Sequence, residues 1–314
     1  MFISIVVPLY NEKESVPQLV LALRKEMAIL KRRKIKTEII LVDDGSSDGT
    51  FEEISKASKK DKRIRIVKFR RNFGQTAAFD AGFRQARGDV IITMDGDLQN
   101  DPADIPLLLK ELSKGYDVVS GWRHDRQDAR VTKKLPSLMS NYLARWLTGL
   151  QLHDFGCSLK AYRKETLQNI RLFGEMHRYI PGILFTKGYK ISEVKVKHQV
   201  RKFGYTKYNI TRLLKGFLDL LYIKFWSSYS TRPLHLFGLI GFILFAFAGA
   251  ISIFKLFMLF AYAQPITVSP ALLLAVLSAI IGMQFIIFGF LGEISVRTYY
   301  NTSKETEYEI ERII

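Results

Sequence analysis

Two short runs of acidic residues carry most of the chemistry that this sequence offers. The first is Met94-Asp95-Gly96-Asp97-Leu98-Gln99. Carboxylates one residue apart, just after a strand, can turn toward one small volume, and that volume is negative enough to want a cation. Gln99 adds a third oxygen donor two residues on. Oxygen ligands of this kind suit Mg2+ or Mn2+, which water and substrate phosphates usually complete. The second run is Asp43-Asp44-Gly45-Ser46-Ser47-Asp48-Gly49-Thr50. It reads both as a capped helix start, with Ser or Asp as the N-cap, and as a binding turn.

The elements that would hold these turns follow from the hydrophobic pattern. Strands are expected at Phe2–Pro8, Glu38–Val42, Ile64–Phe69, Asp89–Met94 and Asp117–Ser120, and helices at Glu14–Leu30, Thr50–Ser58, Gly74–Ala86 and Ile105–Lys114. Strands alternating with such helices imply an α/β fold, a mostly parallel sheet with helices on both faces. Ligands of such sheets sit beyond the carboxyl ends of the strands. Both acidic runs fall at that edge.

The chain has 314 residues, 47 Lys and Arg against 30 Asp and Glu, a formal net charge of +17 and one cysteine. That length allows about two domains. A single cysteine excludes an intramolecular disulfide framework, and the apolar content excludes disorder. Nearly all of the basic residues precede Pro233. Beyond it, 234–258 and 270–292 are each long and apolar enough for a transmembrane helix, with Gln264-Pro265 and Ser269-Pro270 marking a tight hairpin between them. The excess of Lys and Arg before the first span, against an uncharged hairpin loop, predicts that the N-terminal domain and both termini are cytoplasmic. No signal peptide is expected. The segment 209–232 mixes Leu213, Leu214, Phe217, Leu218, Leu221, Tyr222, Phe225 and Trp226 with Arg212, Lys215 and Lys224, the pattern of helices lying in a headgroup layer. With two spans, the positive charge is read as a match for anionic lipid and not for nucleic acid. The predicted organisation is a catalytic domain at 1–208, interfacial helices at 209–232, the two spans within 233–293 and a tail at 294–314. Lys255 and Glu293 either snorkel or pair between chains of a homo-oligomer.

The segments Ile5–Glu12 (IVVPLYNE), Leu41–Thr50 (LVDDGSSDGT), Arg71–Gly82 (RNFGQTAAFDAG) and Met94–Pro102 (MDGDLQNDP) occur in that order. Together they resemble the family-2 inverting glycosyltransferases of the GT-A fold. With two C-terminal spans added, the chain is similar more narrowly to polyisoprenyl-phosphate glycosyltransferases, the dolichyl-phosphate mannose synthases and their undecaprenyl-phosphate relatives. The resemblance implies that Pro8, Tyr10 and Glu12 border the nucleotide and that Asp43 and Asp44 hold its base or ribose. It implies that Asp95 faces the ribose and the metal, with Asp97 and Gln99 as metal ligands. Arg201 and Lys207, in R-K-F-G-Y-T-K, match the family segment that closes over the donor diphosphate. Arg123, in Gly121-Trp122-Arg123, matches the arginine that meets the lipid phosphate, with Lys133, Lys134, Ser137 and Ser140 following on a basic stretch. Asp154 lies where inverting enzymes of this fold place a base. A hydroxyl acceptor needs such a base; a lipid monophosphate, with its second ionisation near about pH 6, does not. Asp154 therefore either assists catalysis or only orients the acceptor, and Cys157 is read as a buried small residue.

The expected activity is transfer of a hexose, from UDP-glucose first and GDP-mannose second, to a polyisoprenyl phosphate, with Mg2+ or Mn2+ and with inversion. One alternative is an enzyme of the same fold acting on a lipid or polysaccharide hydroxyl. Arg145-Trp146 occurs without the glutamine pattern of processive members. The other alternative is a basic, membrane-tethered adaptor without catalysis.

Overall fold

A computed structural model describes residues 1–124, 134–168, 170, 172, 174–199, 221, 224–225, 233–262, 268–302 and 310–313. The chain divides into two compact units, Met1–Ile223 with Thr306–Ile314, and Lys224–Glu305.

The first unit is built on one sheet. Its strands are β1 (Phe2–Leu9), β2 (Lys36–Asp43), β3 (Ile64–Phe69), β4 (Val90–Thr93), β5 (Val118–Arg123), β6 (Lys160–Arg163), β7 (Ile191–Val196) and β8 (Ile310–Ile313). Their order across the sheet is β7-β5-β6-β4-β1-β2-β3-β8. β1 pairs in parallel with β2 and β4, β2 with β3, and β5 with β7. β6 is antiparallel to both β4 and β5, so β4 and β5 point the same way and share one carboxyl edge. β8 caps the far edge, antiparallel to β3; within the expected tail, 310–313 is thus a strand.

β1 is buried on both sides along nearly all its length, as a near-continuous apolar run in a parallel sheet must be. Its alternation sorts two cores. Ile3, Ile5 and Val7 pack toward α1 (Val16–Arg32), α2 (Thr50–Lys60) and α4 (Ile105–Leu112). Val6 packs toward α3 (Gln75–Gln85), α5 (Lys134–Thr148) and α7 (Ile180–Thr186). α6 (Lys164–Leu167) is one short turn after β6. α1 buries Leu19, Val20, Leu23, Met27 and Leu30, the three-and-four spacing of a single apolar stripe.

The second unit is a helical hairpin, α8 (Pro233–Tyr262) and α9 (Pro270–Thr302). The pairing is antiparallel: a Cβ on Gly292 would lie 3.3 Å from Pro233, one on Gly289 2.9 Å from Leu234, and one on Gly241 2.7 Å from the Gly282 carbonyl oxygen. Small residues at those levels let the backbones close up. Pro233–Tyr262 and Pro270–Ser295 are long and apolar enough to cross a membrane, and α9 continues beyond the expected end at 292.

Candidate active site at the carboxyl edge of the sheet

The carboxyl ends of β1, β2, β4, β5 and β7 deliver the residues singled out above. After β1, the loop through Pro8, Tyr10 and Glu12 is stapled to the loop after β2. Asn11 N–H donates to Ser46 Oγ (3.0 Å), Ser47 N–H donates to Asn11 Oδ1 (2.9 Å), and Glu12 N–H donates to Thr50 Oγ1 (2.9 Å). Gly45 holds φ +69°, and a Cβ there would lie 2.3 Å from the Arg71 carbonyl carbon, so only glycine lets the loop after β3 pass so close. The α2 start differs from the expected Ser or Asp N-cap. The boundary residue is Gly49, left-handed at φ 95°. Asp48, one step earlier, accepts from Thr50 N–H (2.9 Å) and Lys13 N–H (3.1 Å). Burial alone would raise the Asp48 carboxyl, but those hydrogen bonds and that of the Thr50 hydroxyl hold it below its ordinary range.

Asp43 and Asp44 are both buried but are used differently. Asp44 accepts from Phe73 N–H (2.7 Å), Gly74 N–H (3.0 Å) and Asn72 Nδ2 (2.9 Å). Burial outweighs these bonds and pushes its carboxyl up to about 6. Asp43 Oδ1 accepts from Ser46 N–H (3.1 Å), while Oδ2 is buried with no partner. A buried lone acceptor costs about 1–3 kcal/mol, and a donor on a bound base or ribose would relieve it.

The Asp95–Gln99 turn bends through Leu98, at φ 63°. Asp97 Oδ1 accepts from Gln99 N–H (3.1 Å). Gln75 Nε2, from the first residue of α3, donates to Asp95 Oδ1 (2.6 Å). The turn is tied outward as well. Gln199 N–H donates to the Gln99 carbonyl (2.9 Å), Asn100 bridges His198, and Asn100 Nδ2 donates to Ser158 Oγ (2.7 Å). Asp95, Asp97 and Gln99 stay half-buried. Among the described residues no three His, Cys, Asp or Glu side chains cluster as a metal cage. Two carboxylates and an amide oxygen on one turn still fit Mg2+ or Mn2+, since such ions take one or two protein carboxylates and complete their shell with substrate phosphates and water.

Arg123 and Asp154 meet each other. The guanidinium forks onto the carboxylate, Nε to Oδ2 at 2.7 Å and Nη2 to Oδ1 at 2.9 Å, and Gly156 N–H also donates to Oδ1 (3.0 Å). Burial alone would lower the Arg123 pKa, but the Asp154 charge holds it above its usual value. β5 runs three residues beyond the expected Ser120 and carries Arg123 at its last position. Arg201, Lys207 and Lys133 lie outside the described residues. So do the side chains of Lys134, Ser137 and Ser140, although their backbone belongs to α5.

Two residues at this edge had no role in the sequence reading. Gln75 sits in the RNFGQ run, where the motif was visible but its reach to Asp95, twenty positions on, was not. Lys160 on β6 is fully buried, and its Nζ donates to the Phe155 carbonyl (3.1 Å) and the Arg178 carbonyl (3.3 Å). Burial pushes its ammonium down to about 8. The sign was a lone lysine inside the apolar run Cys157–Tyr162. Cys157 is buried, as expected, and burial pushes its thiol up to about 12.

Residues 4–171 match the family model described as Glycosyl transferase family 2. The chain is 41% identical to the dodecaprenyl-phosphate galacturonate synthase of Rhizobium johnstonii, across 99% of this chain and 92% of that protein. It is 38% identical to the undecaprenyl-phosphate 4-deoxy-4-formamido-L-arabinose transferase of Pectobacterium carotovorum, across 99% of this chain and 93% of that protein. A mannosyltransferase from Pyrobaculum calidifontis, solved with GDP-mannose and Mn2+, shares the fold at a TM-score of 0.51 and 17% identity, covering 96% of this chain and 88% of its own. A mannosyl-3-phosphoglycerate synthase from Rubrobacter xylanophilus does so at 0.54 and 16%, covering 72% and 74%.

Proposed function

The chain belongs to glycosyl transferase family 2, and on that premise we propose that it moves a sugar from a nucleotide-sugar donor onto the phosphate of a polyprenol at a membrane face. The observation that carries this reading is the half-buried Asp95–Gln99 turn, held at the carboxyl edge by Gln75, in a chain similar along 99% of its length to a dodecaprenyl-phosphate galacturonate synthase and an undecaprenyl-phosphate 4-deoxy-4-formamido-L-arabinose transferase. α8 and α9 are the membrane spans in this reading, with the catalytic unit and both termini on the cytoplasmic side, where the basic flank before α8 belongs.

In the proposed reaction an oxygen of the lipid phosphate attacks the anomeric carbon from the side opposite the nucleoside diphosphate. The new C–O bond forms as the old one breaks, and the configuration inverts. Asp43 Oδ2 takes a donor from the base or ribose, with Pro8, Tyr10 and Glu12 bordering the nucleotide and Asp44 holding the loop beside it. Asp95 faces the ribose and the metal, and Asp97 and Gln99 hold the metal. When bound, Mg2+ or Mn2+ neutralises the charge that grows on the departing diphosphate, and Arg201 and Lys207 add positive charge there. Arg123 meets the acceptor phosphate, with Lys134 and Ser137 completing the cradle. Asp154 has both oxygens on Arg123, so it acts as the orienting partner of that arginine. The lipid phosphate, largely a dianion above about pH 6, supplies its own nucleophile.

The donor is proposed as a nucleotide-linked hexose, with UDP-glucose as the first candidate. The panel that tests it includes nucleotide-linked glucose, mannose, galacturonate and 4-deoxy-4-formamido-L-arabinose, each with one radiolabelled sugar and one polyprenyl phosphate in vesicles. Label should enter the lipid fraction with one donor and stop in EDTA. Equal transfer in EDTA would remove the metal. Transfer to a polyprenol but not to its phosphate would overturn the acceptor.

A further inference from the structure

The two faces of the sheet carry different helices. On one face, α1, α2 and α4 mix charges, with Glu26, Glu52, Glu53 and Glu111 among their lysines and arginines. On the other, no acidic residue lies from 134 to 152 or from 176 to 192, stretches that carry Lys134, Arg145, Arg178, Lys187 and Lys190; the acids beside them are paired, Glu175 with Arg178 at 3.6 Å and Asp80 of α3 with Arg84 at 2.8 Å.

α5 is also apolar on the wrong side for a helix facing only water. Its inner face is satisfied: Asn141, Ala144, Leu147 and Thr148 are buried. Its outer face presents Tyr142, 68% exposed, and Trp146, 71% exposed, one turn apart. The stripe continues to Gly149, where a Cβ would lie 3.7 Å from Phe185 Cε1 of α7, and Phe185 is itself 40% exposed. Scattered exposed apolar residues are ordinary; a run of three aromatics along one line is a patch, and such patches mark binding surfaces. Tyrosine and tryptophan, with an apolar ring and a polar tip, favour the boundary between headgroups and acyl chains. An excess of lysine and arginine over acid along such a surface favours anionic headgroups.

We propose that the face made by Tyr142, Trp146 and Phe185, with its surrounding cations, seats the catalytic unit on an anionic phospholipid surface. The proposal rests on the reading of α8 and α9 as membrane spans, which tether the chain to a bilayer. It also gives Arg145-Trp146 a role other than that of the processive-enzyme motif. Seating there would bring the α5 segment, with Lys134 and Ser137 at its start, to the level at which a lipid phosphate lies.

The test uses the full chain in nanodiscs of phosphatidylcholine and phosphatidylglycerol. The chain has three tryptophans, so the signal of Trp146 is the difference between the wild type and Trp146→Phe. The expected signal is blue-shifted, is at least halved by lipids brominated close to the headgroup, and loses most of its quenching by aqueous iodide. Replacing phosphatidylglycerol by phosphatidylcholine should return part of the iodide quenching. A Trp146 signal that stays red and open to iodide, in a chain that floats with vesicles after alkaline washing, overturns the docking face and leaves the membrane spans standing. A chain that does not float overturns the spans themselves. Iodide protection that appears in lipid-free detergent and grows with protein concentration overturns the proposal in favour of a second copy. The double variant Tyr142→Ser with Trp146→Ser, checked by its melting curve, should lose severalfold in transfer to long-chain polyprenyl phosphate in bilayers and nothing with a short, water-soluble prenyl phosphate.

Discussion

Two acidic turns end β2 and β4, the strands on either side of β1, and they are spent in opposite ways. In the turn after β2, Asp44 is buried and takes three hydrogen-bond donors from the loop 72–74. In the turn after β4, Asp95 and Asp97 are half-buried, Asp95 Oδ1 accepting from the Gln75 amide and Asp97 Oδ1 accepting from the Gln99 N–H of its own turn. The same side chain is thus used once as scaffold and once as an offered ligand. A carboxylate saturated by its own protein has little left for a substrate; a half-buried one such as Asp95, its Oδ1 gripped by Gln75, is aimed at the site. The segment Asn72–Gln75 does both jobs, closing Asp44 and aiming Asp95 within four residues.

The comparison breaks most sharply at Asp97 and Asp44. Asp97→Ala should lower transfer by about 1000-fold, the scale of losing one element of transition-state charge stabilisation, with the melting temperature of the variant close to that of the wild type. Asp44→Ala should do the reverse in kind. It strands two backbone N–H groups in the interior, each worth about 1–3 kcal/mol, so the loss appears first in unfolding midpoints. If Asp97→Ala melts early and stays active, the assignment of ligand and scaffold is inverted.

A smaller effect separates the turns by pH. The Asp44 carboxyl is raised in the folded chain from 3.8 to about 6, chiefly by burial. The native state therefore binds its proton more tightly than the unfolded state does. Its stabilising contribution is complete below 3.8 and is lost as the pH rises through about 6. The difference in unfolding midpoint between the wild type and Asp44→Asn should shift in favour of the wild type as the pH falls from 7 to 4. A difference flat across that window would show that Asp44 is not desolvated.

Smaller again is Gln75→Met, which keeps the length of the side chain and removes the amide that holds Asp95. Partners of metal-site carboxylates typically cost 10–100-fold in metal affinity when lost, so we expect about a 10-fold weaker response to Mn2+ in nucleotide binding. The rise should fall on the donor KM, with kcat little changed and the melting curve in place. Gln75→Asn, one methylene short, should recover little of it. An unchanged Mn2+ titration would mean that Asp95 needs no help in facing the site.

How much of this was legible before the fold was known depends on how local each signal was. Ile64–Phe69 was readable to the residue, because Ile64, Ile66, Val67 and Phe69 make a mostly apolar run whose two charges, Arg65 and Lys68, fall where the strand is only part-buried. Both acidic turns were readable because they directly follow such runs. β6 and β7 were not: KAYR is four residues with a charge at each end, and ISEVKV buries only its last residue, so their places between and beside other strands are set by packing across the sheet. The Arg123–Asp154 pair was invisible for the same reason. Each residue could be assigned a partner in a substrate, but only the fold shows that they face one another. The Gly49 start of α2 was missed because Asp48 and Gly49 share the work of a cap, one supplying the acceptor and the other the left-handed backbone.

The smallest expected effect concerns Cys157, which lies on the same loop as Asp154 yet belongs with Asp44 on the scaffold side of the comparison. It is fully buried, and burial raises its thiol to about 12, so the thiolate that reacts with electrophiles is scarce at neutral pH. Native protein should resist iodoacetamide at pH 8 and take up one equivalent only after unfolding, as a chain with one cysteine must. Cys157→Ala should keep transfer activity within about twofold and cost at most about 1–2 kcal/mol of stability for the lost buried volume. Rapid labelling of the native chain, or loss of transfer in the alanine variant at an unchanged melting temperature, would move Cys157 out of the scaffold and into the site. It would also show that burial at this edge does not by itself separate what supports the chemistry from what performs it.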